Sequence, residues 1–306
     1  MQHKIEAETA IARGWYLSPS EPLAVPRRLA DHRRSRILPI ETTVIDMSSI
    51  LNTEPPEYTH TLIISDVHLG SKVSRARELF HLLKSYRISK HKWRFSQLVL
   101  LGDIFDDLNF TRLRKHAWQV VGTLREITDE ESNANVVWVL GNHDELLSQL
   151  MAHLVGVKVY EEYEWEVGGK KFLAMHGHQF DRWVINYPTL SKFPSWIYDM
   201  IQKFDGPKQR VSRYVKEKSK TWLRINEEVA AGIVAYASKK RHRIDAVFCG
   251  HTHIEEEIEF KEKSIRYYNT GCWTGKDSPT YITIAPSGEV TLQHQIETGT
   301  PARQSA

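Results

Sequence analysis

A chain of 306 residues with 41% hydrophobic and 26% charged residues has the balance of an ordinary globular protein, which excludes collagen-like, low-complexity and wholly disordered classes. The length allows one large domain or two small ones, with a sizeable core. The net charge of +3 hides an uneven distribution: residues 182–243 hold 14 Lys and Arg against 5 Asp and Glu, a local +9 that leaves −6 on the other 244 residues. Such asymmetry points to an anionic partner for one segment.

Two cysteines, Cys249 and Cys272, can build neither a disulfide framework nor a four-cysteine zinc site, and they suit a reducing cytoplasm. No window approaches ~18 uninterrupted apolar residues, so no transmembrane helix is expected. The charged stretch Met1 to Gly14 lacks the apolar region of a secretory signal.

Residues 1–57 have no sustained period and are rich in Pro and Arg, including Arg27, Arg28, Arg33, Arg34 and Arg36; we expect a flexible extension. From Thr61 onwards short apolar strands alternate with helical patterns. Strand Thr61–Ser65 leads into Asp66 and His68, and a helix carrying Leu79, Leu82 and Leu83 follows. Strand Gln97–Leu101 ends at Gly102-Asp103, ahead of a helix expected over about Thr111–Ile127. Strand Asn135–Leu140 ends at Gly141-Asn142-His143-Asp144. This alternation predicts right-handed crossovers and a largely parallel sheet.

Further on, Glu164–Val167 and Lys171–Met175 read as a hairpin around Gly168-Gly169, running into His176-Gly177-His178. Two amphipathic helices are expected next. One carries Phe193, Trp196, Ile197, Met200, Ile201 and Phe204, and the other Val211, Val215, Trp222, Ile225, Val229 and Ile233. Strand Ala246–Cys249 ends at Gly250-His251-Thr252-His253. Further β segments are expected near Glu257–Phe260, Ile265–Asn269, Tyr281–Ile284 and Val290–His294, before a short tail at 298–306.

The polar residues fall at telling places. Asp66 and His68, Asp103, Asn142 and His143, His176, and His251 and His253 all come directly after predicted strands, where open α/β sheets bind ligands. Carboxylate oxygen, amide oxygen and imidazole nitrogen together suit Mn²⁺, Fe or Zn²⁺ better than Ca²⁺ or a thiolate site.

D-x-H, G-D, G-N-H-D, H-G-H and G-H-x-H, in that order over about residues 60–275, resemble the calcineurin-like metallophosphoesterases. The resemblance implies a four-layer α/β/β/α sandwich over residues 58–297, with a helical lid insertion at about 186–240 and two divalent ions at one edge. Asp66, His68, Asp103 and His253 would surround one ion. Asn142, His176, His251 and the shared Asp103 would hold the other. A metal-bridged hydroxide would attack phosphorus, and the two aspartates and that hydroxide would leave a charge of about +1 facing an anionic substrate. His143 would sit over the phosphate as a catalytic residue, oriented by Asp106. For His178 a structural role weighs as much as a catalytic one, and Asp181 either touches the site or accepts a structural hydrogen bond. Asp107 and Asp144 read as solvated helix caps, and Cys249 as a buried strand residue.

Ser65–Gly70, Leu101–Asp106, His176–Asp181 and Asn269–Trp273 are most similar to the UDP-2,3-diacylglucosamine hydrolase group, which cuts the pyrophosphate of a lipid-linked nucleotide sugar. By that likeness the basic helices would cover acyl chains and meet anionic lipid at the inner membrane; ordinary packing on the sheet is the equal alternative. His143 departs from the Arg of the best-known branch and is shared with broader phosphodiesterases. A nuclease or general phosphodiesterase using the basic helices on nucleic acid is therefore the competing enzyme reading. A scaffold that has lost catalysis, like the retromer-type relative of this fold, is the remote one.

Overall fold

In a computed structural model the described residues are 55–144, 148–181, 220–275 and 278–295. The chain divides into two units, Met1–Met47 and Ser48–Ala306, and all described residues belong to the second. The expected extension up to residue 54, the first lid helix and the C-terminal tail lie outside the described residues.

Strand β1 (Thr59–Ile64) is followed by helix α1 (Ala76–Ser85), the short strands β2 (Arg87–Ser89) and β3 (Lys92–Trp93), strand β4 (Phe95–Leu101), helix α2 (Lys115–Ile127) and strand β5 (Asn135–Val139). Helix α3 (Ser148–Val155) and strand β6 (Lys158–Tyr160) close the first half. The second half comprises β7 (Tyr163–Val167), β8 (Lys170–Ala174), helix α4 (Lys220–Ala237), β9 (Ala246–Cys249), β10 (Glu255–Phe260), β11 (Ile265–Thr270), β12 (Thr280–Ile284) and β13 (Val290–His294). The expected hairpin is the antiparallel β7–β8 pair, with Val167 opposite Lys170.

Two sheets form. One runs β13-β12-β1-β4-β5-β6, the other β10-β11-β9-β8-β7. β1, β4, β5 and β6 pair in parallel, as do β8, β9 and β11. Strand alternation explains the layering, because successive side chains point to opposite faces. Ile63, Val99, Leu101, Val137 and Val139 meet Phe172, Ala174, Ala246, Phe248 and Tyr268 in the core between the sheets. Their neighbours Leu62, Ile64, Leu98, Leu100, Val136 and Trp138 face the other way, onto α1, α2 and α3. Leu173, Val247, Cys249 and Tyr267 take the outer face of the second sheet and are covered by Val229, Ala230, Ile233, Val234 and Ala237 of α4. The order helix, sheet, sheet, helix is the four-layer α/β/β/α sandwich. Over 225–237, therefore, the expected lid stretch buries an apolar face on the second sheet. Among the described residues no helix is long and apolar enough to cross a membrane.

One expected element is split. Instead of a helix from Thr111, a 3₁₀ turn at Phe110–Arg112 precedes α2, and the backbone is extended at Leu113 and Arg114. Asn109 sets this turn: its side chain accepts the Thr111 N–H at 3.2 Å. Leu113, buried in the first core, holds the break in place.

Candidate metal centre

The parallel strands deliver their successors to one edge of the sandwich. Beyond β1 and β4 the two loops stay paired, with Asp66 N–H donating to Gly102 O at 3.0 Å and His68 N–H to Asp103 O at 3.0 Å. On the second sheet Gly250 N–H reaches His176 O at 3.1 Å, and Trp273 N–H crosses to Asp66 O at 3.0 Å. At this edge Asp66, His68, Asp103, His251 and His253 all have left-handed backbone, with φ between 47° and 65°. Non-glycine residues rarely adopt it, at a cost of roughly 1–3 kcal/mol each, and such strain gathers at functional sites. Here it turns each side chain sharply off its strand end.

Three sets of donors result, each lying within 4.8 Å: Asp66, His68 and His253; His68, Asp103 and His143; Asp66, Asp103 and His176. Asp66 Oδ1 stands 3.1 Å from His253 Nε2 and 3.4 Å from His176 Nε2. Asp103 Oδ2 stands 3.7 Å from His176 Nε2 and 4.0 Å from both His68 Nε2 and His143 Nε2. His68 Nε2 and His253 Nε2 face each other at 3.3 Å. His251 is in none of these groups. Its Nε2 is turned to Asp181 Oδ2 at 2.9 Å, leaving Nδ1 as its remaining ring donor, and its N–H donates to Asp66 Oδ2 at 3.1 Å.

The remaining oxygen atoms hold the two aspartates in place. Ser65 Oγ donates to Asp66 Oδ2, and His143 N–H donates to Asp103 Oδ1 at 2.9 Å. Although burial of both carboxyls disfavours charge, the surrounding imidazoles outweigh it: Asp66 lies well below its ordinary value and Asp103 at about 2. Conversely, burial would depress His68, but Asp106, Asp103 and Asp66 raise it to about 9, and His176 is raised by Asp103 and Asp66. A cluster that draws protons so strongly is one that a divalent cation can neutralise.

Two observations test whether metal ions fit. Among the described residues the buried Asn142 Oδ1 has no hydrogen-bond partner, so an amide oxygen is left for a cation. Gly102 and Gly141 leave room that a side chain would take: a Cβ on Gly102 would stand 2.3 Å from His176 Cδ2, and one on Gly141 2.2 Å from Asp103 Oδ1. The residues fit divalent ions with mixed nitrogen and oxygen ligands.

The contacts around the candidate ligands differ from the expectation in places. Asp106 meets His143 through its backbone carbonyl, which accepts from Nδ1 at 2.8 Å, while its carboxylate faces His68 Nδ1 at 3.7 Å. Asp144 is not a solvated cap. It is fully buried and accepts the N–H groups of Ile104 and Phe105, both at 3.1 Å, and Trp138 Nε1 at 3.3 Å, which ties the β4 loop to the β5 loop. Burial and the neighbouring Asp103 push its carboxyl up to about 6. Asp107 is exposed and pairs with Arg112. His178 Nδ1 lies 3.2 Å from His176 Nδ1; burial and the two neighbouring histidines hold it down at about 3, so its ring is neutral. Cys249 is buried, its thiol donating to His176 O and pushed up to about 12 by burial, which makes it unreactive.

Sequence reasoning missed the support beneath His251 and His253. Thr252, between them, donates to Asn226 Oδ1 of α4 at 2.8 Å, and Asn269 Nδ2 reaches Gly250 O and Thr252 Oγ1 at 2.9 and 3.0 Å. Asn269 opened a motif that was noticed, but Asn226 had no local signal on its amphipathic helix.

A calcineurin-like phosphoesterase profile matches residues 59–255, more than half of the chain. The chain belongs to the calcineurin-like phosphoesterase family. No curated protein sequence matches it. Among solved structures it is similar to a single mutant of Vps29 from Entamoeba histolytica, at 16% identity, covering 76% of this chain and 96% of that one, with a TM-score of 0.38. A novel archaeal phosphodiesterase is 16% identical, with coverage of 76% and 98% and a TM-score of 0.39. Vps29 from Chaetomium thermophilum is 13% identical, with coverage of 78% and 90% and a TM-score of 0.40. Within this calcineurin-like phosphoesterase, the matched span contains every candidate ligand from Asp66 to His253.

Proposed function

We propose that the protein hydrolyses phosphoester or pyrophosphate bonds with two divalent metal ions, held by Asp66, His68, Asp103, Asn142, His176, His251 and His253. The observation that carries this reading is that the donor sets Asp66–His68–His253 and Asp66–Asp103–His176 share Asp66, beside the buried Asn142 oxygen that has no hydrogen-bond partner among the described residues. Mn²⁺ is the first choice, with Fe or Zn²⁺ as alternatives for the same donor set. When bound, such a pair activates water near neutral pH and neutralises phosphoryl oxygens.

The chain's own residues do the rest. Asp66 and Asp103 are held ionised, ready to ligate without a proton to lose. His143 is fixed at Nδ1 by the Asp106 carbonyl, so its Nε2 is the atom that meets substrate. Since a carbonyl only accepts, Nδ1 keeps its proton and Nε2 is where one is held or released. A protonated His143 would stabilise the phosphoryl charge or donate to the leaving oxygen.

As substrate we propose a lipid-linked nucleotide sugar such as UDP-2,3-diacylglucosamine. Support comes from the four sequence blocks at Ser65–Gly70, Leu101–Asp106, His176–Asp181 and Asn269–Trp273, and from the +9 segment that would meet an anionic amphiphile at the inner membrane surface. The test is Mn²⁺-dependent turnover of that substrate beside bis-p-nitrophenyl phosphate. UMP release with a far higher kcat/KM is expected; turnover of the generic diester alone would discard the lipid nucleotide and keep the metal chemistry.

A further inference from the structure

We propose that Arg112 is a positioning residue of the metal centre, acting through Asp106 on His68. The inference rests on the reading of this edge as a metal centre and assigns a role to a residue outside its ligand set. Asp106 divides its two carboxylate oxygens. Oδ2 accepts from Arg112 Nη2 at 2.7 Å, which leaves Oδ1 facing His68 Nδ1 at 3.7 Å. His68 in turn directs Nε2 at Asp103 and His253. The line Arg112, Asp106, His68 thus has the form of a carboxylate orienting an imidazole ligand, with a guanidinium setting the carboxylate.

The local fold is built to present Arg112. The 3₁₀ turn Phe110–Arg112 is started by the Asn109 side chain, Asp107 Oδ1 accepts the Asn109 N–H at 2.9 Å, and Asp107 Oδ2 takes the second amino group of Arg112. Two carboxylates therefore hold the planar guanidinium from both ends, which the point charge of a lysine cannot reproduce. Without this clamp the Asp106 carboxyl, partly open to solvent, is free to rotate towards water and away from the Nδ1 of His68 that it faces.

The test measures Mn²⁺ binding to the metal-free full chain by calorimetry, for wild type, Arg112→Ala, Arg112→Lys, Asp106→Ala and the Arg112→Ala/Asp106→Ala pair. Thermal melts check that each variant folds. Arg112→Ala is expected to weaken Mn²⁺ binding about tenfold, Arg112→Lys to recover part of it, and the double variant to be no weaker than Asp106→Ala alone. Unchanged Mn²⁺ affinity in folded Arg112→Ala would overturn the proposal. So would a raised KM with unaltered Mn²⁺ affinity, which would make Arg112 a substrate contact. If wild type itself binds no Mn²⁺, Fe or Zn²⁺, the metal-centre reading falls and this role falls with it. Binding by wild type and Arg112→Ala alike removes only the role of Arg112.

Discussion

His143 and Asp106 are joined through a backbone carbonyl: ring Nδ1 donates to Asp106 O at 2.8 Å, while the carboxylate of the same residue points to His68. One residue thereby serves two histidines by two different groups. Side-chain substitution of Asp106 removes only the second service, because the carbonyl stays.

This separates the two histidines experimentally. On the proposed role of Nε2 at the reacting group, His143→Ala should lower kcat by about 10²-fold or more, with Mn²⁺ affinity retained. Asp106→Asn should do the reverse, weakening Mn²⁺ binding while leaving kcat at saturating Mn²⁺ close to wild type, since the carbonyl that holds His143 remains. Steady-state kinetics with bis-p-nitrophenyl phosphate and a Mn²⁺ titration distinguish them. A pure KM effect of His143→Ala would contradict its transition-state role.

Gly141 marks where the site tolerates no side chain. A Cβ there would stand 2.2 Å from Asp103 Oδ1 and 2.3 Å from Asp103 N. Gly141→Ala must therefore move the carboxylate that joins two of the donor sets. We expect a loss of Mn²⁺ affinity greater than tenfold in a protein whose circular dichroism is unchanged. Wild-type affinity in this variant would show that Asp103 does not hold metal in the orientation seen.

The metal-free protein should have its own pH signature. Although burial opposes it, Asp106, Asp103 and Asp66 raise folded His68 to about 9 from an ordinary 6.5. The folded chain holds that proton more tightly than the unfolded one, so the stabilisation is complete below pH 6.5 and is lost as pH rises through 9. Asp103 has the opposite sign: lowered to about 2 by its histidines against the cost of burial, it stabilises above about 3.8 and ceases to as pH falls through 2. Tm of the metal-free protein should fall between pH 6.5 and 9, and bound Mn²⁺ should remove most of that fall by replacing the proton. Parallel curves with and without metal would contradict the coupling of His68 to the site.

Much of the fold was legible because burial on alternate faces leaves a period in the chain. β9 and β13 were delimited as they occur, and β1, β4, β5, β7, β8, β10, β11 and β12 within a few residues. The pieces β2, β3 and β6 were not, since two or three residues carry too little periodicity to stand out, and α3 is only about two turns long. The α2 region misled for a different reason: apolar spacing continues through Leu113, but Asn109 closes a separate turn before the helix.

The sequence by itself determined the residue types at the strand ends, and their order identified the phosphoesterase family, because ligand chemistry demands particular atoms at particular chain positions. Only the tertiary structure decided which atom of each residue meets which. Asp144 turned from an expected surface cap into a buried bridge between loops, and Asp106 split its carbonyl and carboxylate between His143 and His68. Asn226 reaches Thr252, and Arg112 reaches Asp106, from elements whose local pattern says only helix or turn. Hydrogen bonds and ion pairs depend on distance in space and on the direction of each lone pair, and neither is written in the spacing of residues along a chain.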